Sequence, residues 1–240
     1  MVSREQWSFT KMSTKIIHRF WAGPKEIPED YAEFGFMWDK MNPDWEIKMW
    51  TEEDIKEFPT LGKVFNDFYR RDEGRQGIEL YVQMADVMGY ALVHKFGGMY
   101  VNCDIEPIRP LPELPKKAWA SYENDINDVV NAVIGAPAPR NVFWGRLLSK
   151  LPARYFLNPT DEMVHTTGPG LLTDMARRLP ERIHVFPKET FNPVHWSKIS
   201  PGGDAKSFRD SLPPETIGVH HWGHKKDGRT NYIESATQPK

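Results

Sequence analysis

Asn102 and Asp104 stand two residues apart in "GGMYVNCDIEP", at the polar end of an otherwise apolar segment. In an extended strand, side chains two apart face the same way, so these two would present oxygens together while Cys103 faces away. Oxygens paired in this way can take a hard divalent cation or sugar hydroxyls, or can simply cap the turns around them. Asp86, in the apolar stretch just upstream, adds a carboxylate that burial penalises unless polar partners meet it. It lies either at the solvent edge of a helix or in a polar site shared with the strand end. "GVHHWGHKK" supplies imidazoles, His220 among them, near the other end of the chain. A mixed oxygen and imidazole set suits Mn²⁺ better than Ca²⁺ and leaves positions for a diphosphate, whereas a His-His pair can equally be a packing element.

The elements that must position these residues read as α/β. "KIIHRFWAGP" is a β-branched and aromatic run stopped by a Gly-Pro turn, the signature of a strand. "NPDWEIKMWTEEDI" gives a strand from Trp45 to Trp50, then Thr51 as N-cap with Glu52, Glu53 and Asp54 in a first helical turn. Between Ile78 and Phe96 the apolar residues recur at Tyr81, Met84, Ala85, Met88, Ala91 and Leu92, which predicts a helix, and Gly97 stands where a C-cap glycine belongs. A strand from Met99 to Ile105 is expected next. "NDVVNAVIGAPAP" reads as a strand over Val129 to Ile134, "NVFWGRLLSKL" as an amphipathic helix, "TTGPGLLTDMARRL" as a Gly-Pro turn opening another helix, and "IHVFP" as a short strand. Strands alternating with helices build an open sheet, and ligands of such sheets bind beyond the carboxyl ends of the strands. Asn102 and Asp104 fall there.

The 240 residues, 40% hydrophobic and 27% charged, describe one globular domain. With 31 Lys plus Arg against 33 Asp plus Glu, the balance gives no electrostatic case for nucleic acid. Cys103 is the only cysteine, so no intramolecular disulfide forms and a cytoplasmic setting is expected. The first residues lack the apolar core of a signal peptide, and no run approaches the roughly 20 apolar residues of a membrane span, leaving peripheral membrane contact open. The expected organisation is an N-terminal extension over 1–14, a single globular domain over 15–228 and a tail over 229–240.

The ordered segments "KIIHRFWAGP", "NPDWEIKMW", "ADVMGYALVHKFGGMYVNCDIEP", "NAVIGAPAP", "TGPG" and "GVHHWGHKK" resemble the sugar-nucleotide-dependent glycosyltransferases with a DXD motif. The resemblance is to the capsular-polysaccharide and initiating α-1,6-mannosyltransferase group, and it extends to α-1,4-galactosyltransferases and, more distantly, to clostridial glucosylating toxins. It runs from about Lys15 to about Lys226. It implies a GT-A fold, a Rossmann-like mixed sheet flanked by helices. It also implies a divalent metal, usually Mn²⁺ with Mg²⁺ as the alternative, a UDP- or GDP-sugar donor, a carbohydrate, glycolipid or protein acceptor, and retention of anomeric configuration.

By that resemblance Asp104 coordinates the metal, His220 approaches it from the C-terminal loop, and Asn102 holds the first DXD position, beside metal and donor hydroxyls. Asp86 matches the helix aspartate that bonds donor-sugar hydroxyls. His18, Phe20 and Trp21 match the segment that cradles the base. Lys225 and Lys226 stand near the leaving diphosphate or form a solvated pair. Asp125 and Asn131 are expected donor contacts, with Glu123 and Asp128 as alternatives for a carboxylate at the sugar. Two positions depart from the pattern: Asn102 replaces the usual Asp, and Gly89 replaces the usual Arg before Tyr90, which Arg70, Arg71 or Arg75 would have to replace. A catalytically degenerate sugar-nucleotide or glycan-binding protein and a nucleotide-sugar hydrolase are the competing readings. Trp38, Trp45 and Trp144 suit either stacking on acceptor sugar rings or the core.

Overall fold

A computed structural model describes residues 14–59, 61, 78–157, 163–194 and 205–222. The expected extension, apart from Thr14, and the expected tail lie outside these residues. So do Arg70, Arg71, Arg75, Lys225 and Lys226.

Six strands form the main sheet: β1 (Ile16–Phe20), β2 (Glu46–Trp50), β3 (Gly98–Val101), β5 (Ala118–Tyr122), β6 (Val129–Ala136) and β7 (Ile183–Phe186), in the order β2-β1-β3-β6-β5-β7. All run parallel except β6, which is antiparallel to both neighbours. Register pairs Val101 with Val133, so the carboxyl end of β3 meets the middle of β6, whose amino end lies beyond it on the same side. One edge of the sheet therefore collects the ends of β1, β3, β5 and β7 together with the start of β6. A separate two-stranded sheet pairs β4 (Ile105–Pro107) with β8 (Gly218–His220) just outside that edge.

Helices cover both faces: α1 (Glu29–Met41), α2 (Ile78–Phe96), α3 (Val142–Leu157), α4 (Met163–Thr166), α5 (Pro169–Arg178), α6 (Lys188–Phe191) and α7 (Ala205–Asp210). The spacing that predicts α2 buries Met84, Val87, Met88, Ala91 and Leu92 against the sheet, with Phe143, Trp144 and Leu147 of α3 behind them. Gly97 and Gly98 take positive φ, +74° and +80°, and a Cβ on Gly98 would strike the Ile16 carbonyl, so this helix-to-strand turn requires glycine. On the other face Trp38 packs with Met99, Val101, Trp119 and Val133. Trp38 and Trp144 are fully buried, and their indole N–H groups donate to Ile105 O at 3.2 Å and Gly135 O at 2.9 Å. Each indole hides on the order of 200 Å², worth on the order of 5 kcal/mol before entropy is counted. These two tryptophans belong to the core and not to an acceptor surface. Thr51 does cap the helical turn Glu52–Glu57, through Asp54 accepting from its backbone N–H at 2.8 Å, and that turn is 3₁₀.

The expected strand over Met99 to Ile105 stops at Val101. Residues Asn102 to Ile105 form a turn in which Ile105 N–H donates to Asn102 O at 3.1 Å, while Asn102 N–H still donates to Ala132 O at 2.8 Å. The chain leaves the main sheet here to begin β4, so strand alternation does not orient Asn102 and Asp104.

Candidate active site

Asp86 lies on the face of α2 turned toward β6. Its Oδ1 accepts from Asn131 Nδ2 at 2.6 Å and its Oδ2 from Thr167 Oγ1 at 2.8 Å. One turn further along α2, Tyr90 Oη donates to Thr167 O at 2.9 Å. Burial pushes the Asp86 carboxyl up to about 7, against the pull of these two donors. Asp86 is half-buried, and the polar partners it meets are Asn131 of β6 and Thr167, not the strand-end residues Asn102 and Asp104. Thr167 was not singled out by its spacing, although it stands in "TTGPG", where Gly168 and Pro169 open α5 and aim the preceding residues at α2.

Asp104 and His220 meet at the second centre. Pairing of β4 with β8 sets Ile105 opposite His220, and His221 N–H donates to Asp104 O at 3.0 Å. His220 Nε2 lies 3.3 Å from Asp104 Oδ2, without hydrogen-bond alignment, and neither buried ring nitrogen of His220 has a hydrogen-bond partner among the described residues. The ring stacks on Trp222 at 3.9 Å. Asn102 is half-buried at the start of the same turn.

The side chain of Arg19 runs beneath this turn. Its guanidinium Nη2 donates to Tyr31 O at 2.6 Å and Cys103 O at 2.9 Å, tying β1 and α1 to the residue before Asp104. Its neighbours in "IIHRFW" read as a plain strand, so nothing in the spacing marks it.

Other expected positions fall elsewhere. His18 is fully buried: Trp50 Nε1 donates to its Nδ1 at 3.1 Å, and its Nε2 then donates to Gly97 O at 3.0 Å. Burial lowers its pKa to about 4, and with both nitrogens engaged it has nothing to offer a nucleotide. Phe20 packs in the core with Tyr90 and Tyr100 and is likewise closed to a base. Trp21, half-buried one residue beyond β1, donates to Lys25 O at 2.8 Å and packs edge-on with the Tyr31 ring at 6.2 Å between centroids. Asp125 is on the β5–β6 loop, 84% exposed, and pairs with Lys188 at 2.7 Å, so it does not join Asp86 and Asn131. Gly89 faces Tyr100, whose Cδ1 would lie 2.8 Å from a Cβ placed there. The slot that an arginine would need is filled by that ring.

A divalent cation fits the second centre. Asp104 Oδ2 and His220 Nε2 stand 3.3 Å apart, a ligand-to-ligand spacing, and the buried imidazole of His220 has no hydrogen-bond partner among the described residues, a cost that a shared cation would relieve. Among the described residues no cluster of three or more His, Cys, Asp or Glu side chains is present, so Asp104 and His220 would hold the ion with Asn102 and with oxygens that a diphosphate or water brings.

Residues 28–124, which include Asp86, Asn102 and Asp104, match the family described as the glycosyltransferase sugar-binding region containing DXD motif. Over that stretch the chain is similar to this family, and its fold is GT-A. Inositol phosphoceramide mannosyltransferase 3 of Schizosaccharomyces pombe is 28% identical over 223 residues, 87% of this chain and 59% of that protein, so the GT-A chain spans little more than half of that relative. The PaToxG glycosyltransferase shares its fold with a TM-score of 0.58 and 18% identity, over 70% of this chain and 71% of that one. The catalytic domain of alpha-toxin from Clostridium novyi does so at 0.55 and 11%, over 96% and 83%. Among the described residues of the GT-A chain, no helix is long and apolar enough to cross a membrane.

Proposed function

We propose that this protein is a metal-dependent, retaining glycosyltransferase that moves a sugar from a UDP- or GDP-sugar to a carbohydrate, glycolipid or protein acceptor. The observation that carries the reading is the convergence, on one edge of the sheet, of two centres with different chemistry: a carboxylate held by amide and hydroxyl donors at Asp86, and an oxygen–nitrogen pair at Asp104 and His220. Asp86 accepts hydroxyls of the donor sugar, with Asn131 and Thr167 fixing its orientation. Trp21 offers its ring to the base. Asp104, His220 and Asn102 hold Mn²⁺ or Mg²⁺, which offsets charge developing on the leaving diphosphate, an effect of several kcal/mol.

Retention by front-face attack is favoured over a covalent intermediate. Asp104 is committed to the cation and Asp86 to two hydrogen bonds, while Asp125 is paired outward with Lys188. In the front-face route the leaving phosphate oxygen accepts the proton of the incoming hydroxyl. Asn102 and Gly89 favour a second reading, nucleotide-sugar binding without turnover. Incubating the protein with UDP- and GDP-sugars and oligosaccharide acceptors, with Mn²⁺ or a chelator, and comparing Asp104→Ala, separates the two: transfer that needs both metal and Asp104 supports the enzyme, and binding without transfer across the panel supports the alternative.

A further inference from the structure

Two histidines, His220 and His221, follow one another at the end of β8, and only one of them faces Asp104. The pairing that decides which is short: β4 and β8 are three residues each and, among the described residues, form a sheet of two strands. A two-stranded ladder of this length is marginal by itself, and a slip of one residue turns every side chain of a strand to the other face. Such a slip would exchange the two imidazoles.

Glu106 is placed to prevent it. Its side chain is 2% exposed, yet both carboxylate oxygens are engaged: Oε1 accepts from Arg209 Nη2 of α7, and Oε2 accepts from His221 Nε2 at 3.0 Å. The His221 ring is also stacked on Phe34 of α1, 5.3 Å between centroids and 20° between planes. Glu106 stands opposite Val219, two residues before His221, so the carboxylate reaches diagonally across the ladder on one face. His220, opposite Ile105, is left to the Asp104 side.

We propose that Glu106, anchored by Arg209, is a positioning residue that fixes the β4–β8 register by binding His221, and so selects His220 as the imidazole presented to Asp104. A buried carboxylate with two charge-assisted partners is well suited to this, because a slipped register leaves it without its histidine, at the cost of an unsatisfied buried group. The inference rests on the metal-site reading for its consequence, but the register itself does not require a metal.

The test uses the whole protein and the variants Glu106→Gln and Arg209→Gln, with histidine rings labelled for NMR. Without metal, a cross-strand Hα–Hα contact between Ile105 and His220 is expected in the parent and is expected to weaken or split in Glu106→Gln. On adding Mn²⁺ with UDP, the parent is expected to lose the His220 ring signals first. Glu106→Gln is expected to broaden both rings and to bind Mn²⁺ about 10- to 100-fold more weakly, the range for outer partners of metal ligands. Arg209→Gln, whose side chain is 42% exposed, is expected to move in the same direction by less. An unchanged Ile105–His220 contact together with selective His220 broadening in both variants would overturn the proposal. If the parent binds no Mn²⁺, the metal reading fails, and the metal-free contact alone decides the register.

Discussion

Asn131 Nδ2 lies 2.6 Å from Asp86 Oδ1, joining the start of β6 to the middle of α2 across 45 residues of sequence. Thr167 closes the same carboxylate from the other side at 2.8 Å. The consequence is an acid held in one orientation, at the sheet edge where the Asp104 turn also emerges.

Asp86 should leave a signature in stability against pH. Its folded pKa, about 7, is raised above the ordinary 3.8, so the folded protein keeps a proton that the unfolded chain has released between those values. The residue therefore favours folding at low pH, and its contribution falls as pH rises from about 4 to about 7 and is level above that. Asp86→Asn removes the titration. Thermal midpoints from about pH 4 to about pH 8 are expected to fall more steeply for the parent than for this variant. Parallel curves would contradict the raised pKa.

His18→Ala should act on the fold. It opens a cavity between Trp50 and Phe96 and leaves the Trp50 N–H and Gly97 carbonyl without their partner. A loss of about 2–4 kcal/mol is expected from urea unfolding. The nucleotide affinity of the folded fraction, measured by calorimetry at low temperature, should stay within about twofold of the parent. A selective loss of nucleotide binding in a fully folded variant would restore His18 to the site.

Much of this was legible in the sequence. Helical spacing and two glycines located α2 and its exit, and Asp86 in that apolar stretch could be argued to need polar company. What could not be read depends on contacts between distant segments. Thr167 meets Asp86 over 81 residues and Arg209 meets Glu106 over 103. The turn at Asn102–Ile105 exists because the chain leaves one sheet for another, a choice that the alternation of "MYVNCDI" does not encode. β5, "AWASY", has a strand composition, but the direction of Asp125 in the charged loop after it is set by Lys188, a partner 63 residues away that the loop sequence does not encode.

Asp125→Ala should be nearly silent. An exposed pair contributes about 0–1 kcal/mol, so the thermal midpoint is expected to shift by no more than a few degrees and turnover to stay within about twofold. A hundredfold fall in kcat with an unchanged midpoint would place this carboxylate at the donor after all.

Gly89→Arg should not recover what the family pattern has at that position. The new Cβ meets the Tyr100 ring, fully buried in the core, and the rearrangement is expected to cost about 1–3 kcal/mol. Thermal melts and donor affinity together check this. A variant of parental stability with tighter donor binding would show that the ring yields.

Transfer itself is the most direct test. Proton NMR of UDP- and GDP-sugars incubated with the protein and oligosaccharide acceptors, in Mn²⁺ and in chelator, reads donor loss and the anomeric configuration of the product at once. The expected result is acceptor-dependent conversion of one donor with retained configuration, abolished by chelator and reduced by about two to three orders of magnitude in Asp104→Ala. Conversion that proceeds equally in chelator, or equally in Asp104→Ala, would contradict the assignment of the Asp104–His220 pair to the metal and the leaving group.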